Sequence, residues 1–248
     1  MSLFIAIACE ADADFRAAST LIDRTLVEQI AWLDVDHLEH QRQYVGVESL
    51  YAWTKIHNVH DLVLEKKLRV KYGHFLGEPG AADALLARKT ILLLNSIDPQ
   101  PEVMVVMRDI DNQPERQTGW QQARAEYHGK PPLVLGIAII KRENWILAGF
   151  RSRSDDEQLR LQEERQTLGY DPSLHPDQPN SHERGSKHCP KRVLEHLVGP
   201  AGVERELECL RDTPLAELLT RGERVGLSQF LIEIRSIMCP LLGASRKT

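Results

Sequence analysis

Apolar positions near the start of the chain follow two different periods. Residues 3–8 form an almost uninterrupted apolar run, which is typical of a strand buried on both faces of a parallel sheet. From Phe15 to Ile30 apolar side chains recur at the spacing of an amphipathic helix. The acidic segment 10–14 separates the two patterns. The sequence therefore predicts a strand, an acidic turn and a helix, which together make the first half of a β-α-β unit.

Further strands and helices alternate over the first 150 residues. Short apolar or alternating runs predict strands, and apolar residues at helical spacing predict helices. Strands that alternate with helices in this way predict an α/β fold, with a mainly parallel sheet flanked by helices. The predicted elements are a strand at 68–72, a helix at 81–94, a strand at 103–107, a helix at 120–127 and a strand at 133–140.

Two regions depart from this alternation. Residues 34–67 are polar and contain several His, and we expect them to form a helical insertion. After residue 150 a charged stretch leads into a polar loop at 171–187, and amphipathic helices follow. The predicted organisation is an α/β core of residues 1–150, with residues 151–248 forming a linker, a loop and helices that pack on the core.

Composition and charge narrow the class of protein. Of the 248 residues, 42% are hydrophobic and 27% are charged, which is typical of a globular chain and unlike a disordered one. The formal net charge of −5 provides no overall basic field for nucleic acid, although it allows a local basic patch. The four Cys include no C-x-x-C pair, and the apolar start is too short for a signal peptide. We therefore expect a cytoplasmic protein that does not enter the membrane.

Acidic residues lie at the ends of three predicted strands. Glu10 follows the first, Asp109 and Asp111 follow the second, and Glu143 follows the third. The carboxyl ends of parallel strands meet at one edge of a sheet, where the ligand crevice of such folds lies. Asp109 and Asp111 are two residues apart, so in an extended segment they project to the same side and repel unless a proton or cation lies between them. Carboxylate oxygens favour Mg²⁺ or Mn²⁺, so the sequence predicts a metal site at this edge.

Basic residues lie beside these acids. Arg108 directly precedes the D-x-D pair, and Lys141 and Arg142 directly precede the last acid. Such side chains neutralise phosphate groups, so we expect these three to bind the substrate. Asp14 lies at the start of the first helix, where acids are favoured by the helix dipole, and is expected to play only that role.

Taken together, these segments resemble the TOPRIM domain, the metal-binding α/β module of topoisomerases, bacterial primases and OLD-family nucleases. That domain has a Glu after its first strand and a D-x-D after a later one, which match IAIACE at 5–10 and MVVMRDID at 104–111. A closer resemblance is to small stand-alone bacterial TOPRIM-like proteins. Their downstream E-x-W-[LI]-[LM]-A matches ENWILA at 143–148, and their Pro-Lys before an apolar helix matches PKRVL at 190–194.

The resemblance covers residues 1–150 and departs from the family pattern in two ways. In the family a Gly usually follows the first Glu, whereas Ala11 follows Glu10 in this chain. The 99 positions from Glu10 to Asp109 are many for a compact TOPRIM core, which supports an insertion at 34–67.

The resemblance implies a Mg²⁺- or Mn²⁺-dependent nuclease that hydrolyses DNA or RNA and takes part in bacterial defence against phage. Glu10, Asp109 and Asp111 would be catalytic and would bind the metal together with Glu143. Glu10 could instead be a general acid/base, and Glu143 could orient other ligands through hydrogen bonds. TOPRIM nucleases are often coupled to an ATPase. The sequence contains no G-x-x-x-x-G-K-[ST], so that ATPase would be a separate protein. A homo-oligomer is also compatible with the sequence.

Two other interpretations remain open. Phosphatases of the haloacid dehalogenase type also carry a D-x-D after a strand, but they have Thr or Val two positions later, where this chain has Gln113. Alternatively, the chain is a non-catalytic partner-binding subunit, whose acids are structural or bind a metal only to order this edge of the sheet. The apolar stripe at 227–238 would then dock another protein.

Overall fold

The structure is a computed structural model that describes residues 2–48 and 51–244. Residues 49–50 of the predicted insertion and 245–248 of the predicted C-terminal region lie outside these ranges. The strands are β1 (Leu3–Cys9), β2 (Arg42–Val45), β3 (Thr54–Lys55), β4 (His74–Phe75), β5 (Glu78–Pro79), β6 (Val103–Asp109) and β7 (Leu133–Ala138). The α-helices are α1 (Asp12–Gln29), α2 (Val35–Gln41), α3 (Val59–Glu65), α4 (Ala84–Leu94), α5 (Pro114–Glu126), α6 (Arg142–Gly149), α7 (Asp155–Leu168), α8 (Pro190–Val198), α9 (Gly202–Asp212), α10 (Leu215–Arg221), α11 (Leu227–Glu233) and α12 (Cys239–Ala244). Short 3₁₀ turns span Ile56–Asn58, Gly199–Ala201 and Glu223–Val225, and a π-helical turn spans Ile234–Met238.

A parallel sheet with the strand order β2-β1-β6-β7 forms the centre of the fold. Strand β3 pairs with the last residues of β1, beyond the part that β2 covers. The fold class is therefore the predicted one, an α/β fold with a mostly parallel sheet and flanking helices, as in Rossmann-like folds. Among the helices of the described residues, none is both long and apolar enough to cross a membrane.

Alternate residues of the central strands face two separate cores. Ile5 and Ile7 of β1 pack with α1 and with the C-terminal helices, whereas Ala6 and Ala8 pack with α4 and α5. Both faces of the strand are buried, which explains why its sequence is apolar throughout and not alternating. Helices from the second half of the chain, α8 to α11, thus share one core with α1.

Residues 34–67 differ from the helical insertion that we expected. They include α2 and α3, but they also supply β2 and β3, which extend the main sheet along one edge of β1. The strand β2 is polar because it lies at the sheet edge: Arg42 pairs with Asp23 of α1, and the Tyr44 hydroxyl donates to the same carboxylate at 2.7 Å. Because the side chains of β2 are mostly polar, the hydrophobic pattern of the sequence did not predict this strand.

Residues 68–72 also differ from the prediction, which was a strand. Within the ranges that the structure describes they pair with no strand, and β4 and β5 form a separate small hairpin after them. Leu68 and Val70 nevertheless pack inward, against the apolar cluster between α3 and α4, while Arg69 and Lys71 are exposed. The alternation that suggested a strand is therefore present without the ladder of hydrogen bonds.

A buried ion pair connects α7 to α9. Glu157 and Arg205 are 7% and 4% exposed, and the Arg205 Nε donates to Glu157 Oε1 at 2.7 Å. Arg205 also donates to the Arg151 carbonyl, so the pair holds the segment between α6 and α7. A buried charge that loses its partner destabilises the folded state. Replacing either residue of this pair by an uncharged one should therefore lower the free energy of unfolding.

We expect Glu157→Gln to lower the free energy of unfolding by about 2 kcal/mol at pH 7, because the shape remains while the charge-assisted bonds weaken. Burial opposes ionisation of Glu157, but Arg205 and the other donors outweigh it and lower the pKa of Glu157. Its contribution is present above the usual Glu pKa and is lost as the pH falls through the lower folded value. Urea denaturation at several pH values measures this. Glu163→Gln, on the exposed face of the same helix, is the control, and an equal loss in both variants would contradict the prediction.

Candidate functional site: the acidic rim

The residues predicted to form a site come together at the carboxyl edge of the sheet. We use the name acidic rim for the carboxylates Glu10, Asp14, Asp109, Asp111 and Glu143. Glu10 follows β1, Asp14 lies in the first turn of α1, and Asp109 ends β6. Glu143 lies in the first turn of α6, so it belongs to a helix and not to the end of a strand.

Among the residues of the acidic rim, Asp109 has the pKa that is raised most strongly. Its Oδ1 accepts a hydrogen bond from the backbone N–H of Arg142 at 3.0 Å. Burial raises the pKa of Asp109 well above its usual value, and the negative charges of Asp14 and Glu143 raise it further. Asp14 and Glu143 are therefore close enough to Asp109 to oppose its ionisation.

Asp14 has a second role that the sequence did not indicate. As expected for a helix start, its Oδ2 accepts from the Ala11 N–H at 2.9 Å. Its Oδ1 also lies 3.4 Å from Nε of Arg142. Burial raises the pKa of Asp14, and Glu143 adds to the effect while Arg142 counteracts it. The available signal was its position one helical turn after Glu10, at the same end of β1.

Arg142 supplies the positive charge at the centre of these acids. It is 9% exposed, and its Nη1 donates to Oε2 of Glu206 at 2.9 Å. Its Nη2 lies 3.7 Å from Oε1 of Glu143. Glu206 belongs to α9, far along the chain, so sequence spacing could not have placed it here. The guanidinium that we expected to bind substrate is thus surrounded by carboxylates of the chain itself.

Arg108 is likewise held within the protein. It is 8% exposed and forms ion pairs with Glu10 and with Asp83, the latter at 3.2 Å from Nη2. Asp83 directly precedes α4 and has a left-handed backbone, with φ of 62°. Arg108 therefore ties the end of β6 to the turn after β1 and to the start of α4, and Glu10 is neutralised by it.

Asp111 has different surroundings from Asp109. Its φ is 51°, so the extended geometry that would place both acids on the same side ends at β6. Its oxygens lie 3.1 Å from Arg116, 3.8 Å from Lys141 and 3.6 Å from His182. Lys141 and Arg116 are partly exposed, so they form a basic border on the solvent side of the rim.

The donor chemistry of the rim fits a hard divalent cation. Asp14, Asp109 and Glu143 offer only carboxylate oxygens, and burial together with the neighbouring negative charges raises the pKa values of Asp14 and Asp109. In residues 2–48 and 51–244, no three His, Cys, Asp or Glu side chains are arranged so that they could already hold a metal ion. Binding would therefore require these side chains to change conformation, with Asp14 and Glu143 leaving the guanidinium of Arg142.

Comparison of the chain with protein-family models, with curated proteins and with solved structures gives no match. The resemblance to TOPRIM domains stays a prediction.

Proposed function

We propose that the protein is a divalent-metal-dependent nuclease whose acidic rim hydrolyses phosphodiester bonds of DNA or RNA. The observation that carries the proposal is the cluster of Asp14, Asp109 and Glu143 at the carboxyl edge of a parallel sheet, with the pKa of Asp109 raised well above its usual value. Gathering like charges at one place destabilises a fold, and such arrangements occur most often at functional sites. A metal bound there would remove the repulsion.

Each rim residue has a role in this proposal. Asp109, Asp14 and Glu143 would hold Mg²⁺ or Mn²⁺, which would neutralise the phosphate and lower the pKa of a bound water. Glu10, oriented by Arg108, would act as a further ligand or as a general acid/base. Asp111 would position Lys141 and Arg116, whose ammonium and guanidinium groups would contact the phosphates beside the scissile one.

The biological setting in this proposal follows from the resemblance to TOPRIM nucleases. The enzyme would act in the cytoplasm as a component of defence against phage, together with a separate ATPase. An ATPase encoded by a neighbouring gene would support this part of the proposal.

The proposal is tested by incubating the purified protein with supercoiled plasmid, single-stranded DNA and RNA, in Mg²⁺, in Mn²⁺ and in EDTA. We expect cleavage that requires the cation. Glu143→Gln should slow it about 10–100-fold, the range found when residues that support a metal site are replaced. Glu163→Gln makes the same chemical change on the exposed face of α7 and should cleave at the original rate. Cleavage that persists in EDTA, or equal rates in both variants, would contradict the proposal.

A second function, that of a non-catalytic subunit, is favoured by the ion pairs of the rim. Glu10, Asp111 and Glu143 all face an Arg of the same chain, so their charges are partly neutralised without a metal. This alternative predicts no cleavage of any substrate and a melting temperature that Mg²⁺ leaves unchanged.

A further inference from the structure

Residues 66–72 carry a dense group of positive charges that the acidic rim does not use. Lys66, Lys67, Arg69 and Lys71 are all exposed, and none forms an ion pair with any residue that the structure describes. We call 66–72 the basic segment. Its four charges stand against a formal net charge of −5 for the whole chain, so the remainder carries −9. Positive charge is thus concentrated at one place on an otherwise acidic protein.

Charged and apolar residues alternate along the second half of the basic segment. Leu68 and Val70 pack inward and the residues between and after them, Arg69 and Lys71, point to solvent. Side chains two positions apart on an extended backbone are about 6.6 Å apart. This spacing is comparable to that of successive phosphates in an extended single strand of nucleic acid, so neighbouring cations can contact neighbouring phosphates.

Other residues hold the basic segment in place and leave its charges free. Arg88 of α4 donates to the Lys71 carbonyl at 2.7 Å and to the His74 carbonyl at 3.0 Å. Its guanidinium also lies 3.6 Å from the ring centroid of Phe75 and pairs with Glu126 of α5. A surface ordered before binding loses less conformational entropy when a ligand arrives.

An apolar groove runs beside the basic segment. Its volume is about 280 Å³, close to the ~300 Å³ at which small-molecule pockets begin. Arg69, Lys71 and Tyr127 are among the residues that line it, as are Glu126 and Asn95. Its remaining lining includes Val70, Ile91, Leu92 and Ala123. Proteins bind single-stranded nucleic acid with cations that contact the phosphates and with aromatic or apolar side chains that contact the bases. The bases of a single strand are unpaired, so they can pack against such side chains.

The basic segment and the acidic rim are connected through α4. Asp83, which pairs with Arg108, lies five residues before Arg88, which anchors the basic segment. Five residues of α-helix span about 7.5 Å. The groove lies toward the C-terminal ends of α4 and α5, at Asn95 and Tyr127, so a strand bound there would run along α4 toward Asp83 to reach the rim. Glu65 and Asp61 on α3 reduce the local charge, while Glu126 is neutralised by Arg88.

We propose that the basic segment and its groove bind a single strand of nucleic acid through its phosphates and bases, and lead it to the acidic rim. This inference deepens the proposed nuclease function and rests on it for the direction of the strand. Binding itself is independent of cleavage, so the two can be tested apart.

The test measures the anisotropy of labelled single-stranded DNA and RNA of about 20 nucleotides, longer than the ~4–16 nucleotides of single-strand sites, with EDTA present to prevent cleavage. We expect the double variant Arg69→Glu, Lys71→Glu to raise Kd at least tenfold. The slope of log K against log salt should fall by about 1.4, for two lost phosphate contacts. The control Lys187→Glu, Lys191→Glu makes the same change in net charge at exposed lysines before and within α8, and should leave Kd unchanged.

Equal Kd values in the double variant and the original protein would overturn the inference, as would an equal loss in the control. Duplex DNA bound as tightly as the single strand would overturn its single-strand part. Anionic lipid vesicles bound through the basic segment in place of oligonucleotides would also overturn it. Segment-dependent binding without any metal-dependent cleavage would support the surface and contradict the nuclease. Cleavage that the double variant performs at full rate would support the nuclease and contradict the surface.

Discussion

Asp109→Asn is expected to lower the rate of metal-dependent cleavage about 1000-fold or more. The amide keeps the shape of the side chain and can still accept from the Arg142 N–H, so the loss would come from the charge that holds the cation. A metal supplies several kcal/mol of charge stabilisation in such reactions, and each 1.36 kcal/mol corresponds to a factor of ten. Single-turnover cleavage of plasmid and of oligonucleotides in Mg²⁺ measures the effect.

The same substitution should stabilise the protein when no metal is present. Because burial and the charges of Asp14 and Glu143 raise the pKa of Asp109, the ionised carboxylate destabilises the fold. For an acid with a raised folded pKa, the original protein loses stability as the pH rises from about 4 through that value. The Asp109→Asn variant lacks this loss. At pH 7 it should be more stable than the original protein by about 1 kcal/mol or more, whereas below pH ~4 the two proteins should be equally stable.

Thermal denaturation with and without Mg²⁺ completes this test. The original protein should gain melting temperature with Mg²⁺, because a ligand that binds only the folded state stabilises it, and Asp109→Asn should not. A variant that is less stable than the original at pH 7 in EDTA would show that Asp109 is a structural acceptor. That result would contradict its role as a metal ligand.

Gly226→Ala is expected to lower the free energy of unfolding by about 4 kcal/mol. Gly226 has φ of 85°, where a Cβ costs about 1–2 kcal/mol. A Cβ here would also lie 2.1 Å from the carbonyl oxygen of Ile137 in β7, which is backbone and cannot rotate away. Forcing extra volume into a packed site adds about 1–3 kcal/mol. Urea denaturation followed by circular dichroism measures the sum.

Gly169→Ala separates the two contributions. Gly169 ends α7 with φ of 84°, nearly the same backbone conformation, but among the described residues no atom beyond its chain neighbours lies within 4 Å of the position that a Cβ would take. It should lose only about 1–2 kcal/mol. Equal losses at both positions would show that β7 yields to the added methyl group. Ile137 directly precedes Ala138, which pairs with Asp109, so a displaced β7 should also reduce cleavage.

Local sequence patterns identified most of the elements that position the rim. The apolar runs at 3–8 and 103–107 became β1 and β6 because both of their faces are covered. The strand β2 escaped detection because an edge strand can carry polar side chains on both faces. The alternation at 68–72 predicted a strand, but alternation reports which side chains are buried and not whether the backbone has a hydrogen-bonding partner.

The net charge of −5 is known from the sequence, but the sequence does not show which charges are paired. The sequence by itself determined the parallel α/β architecture and the position of acids at strand ends, because burial on two faces and the order of elements along the chain are local properties. Only the tertiary structure decided that Asp14 joins Asp109 and Glu143, that Arg142 and Arg108 are enclosed by carboxylates, and that the cations of the basic segment are exposed and form no ion pair with the described residues. Pairing of charges depends on which distant segments meet, as Glu206 and Arg142 do, and no spacing along the chain encodes it.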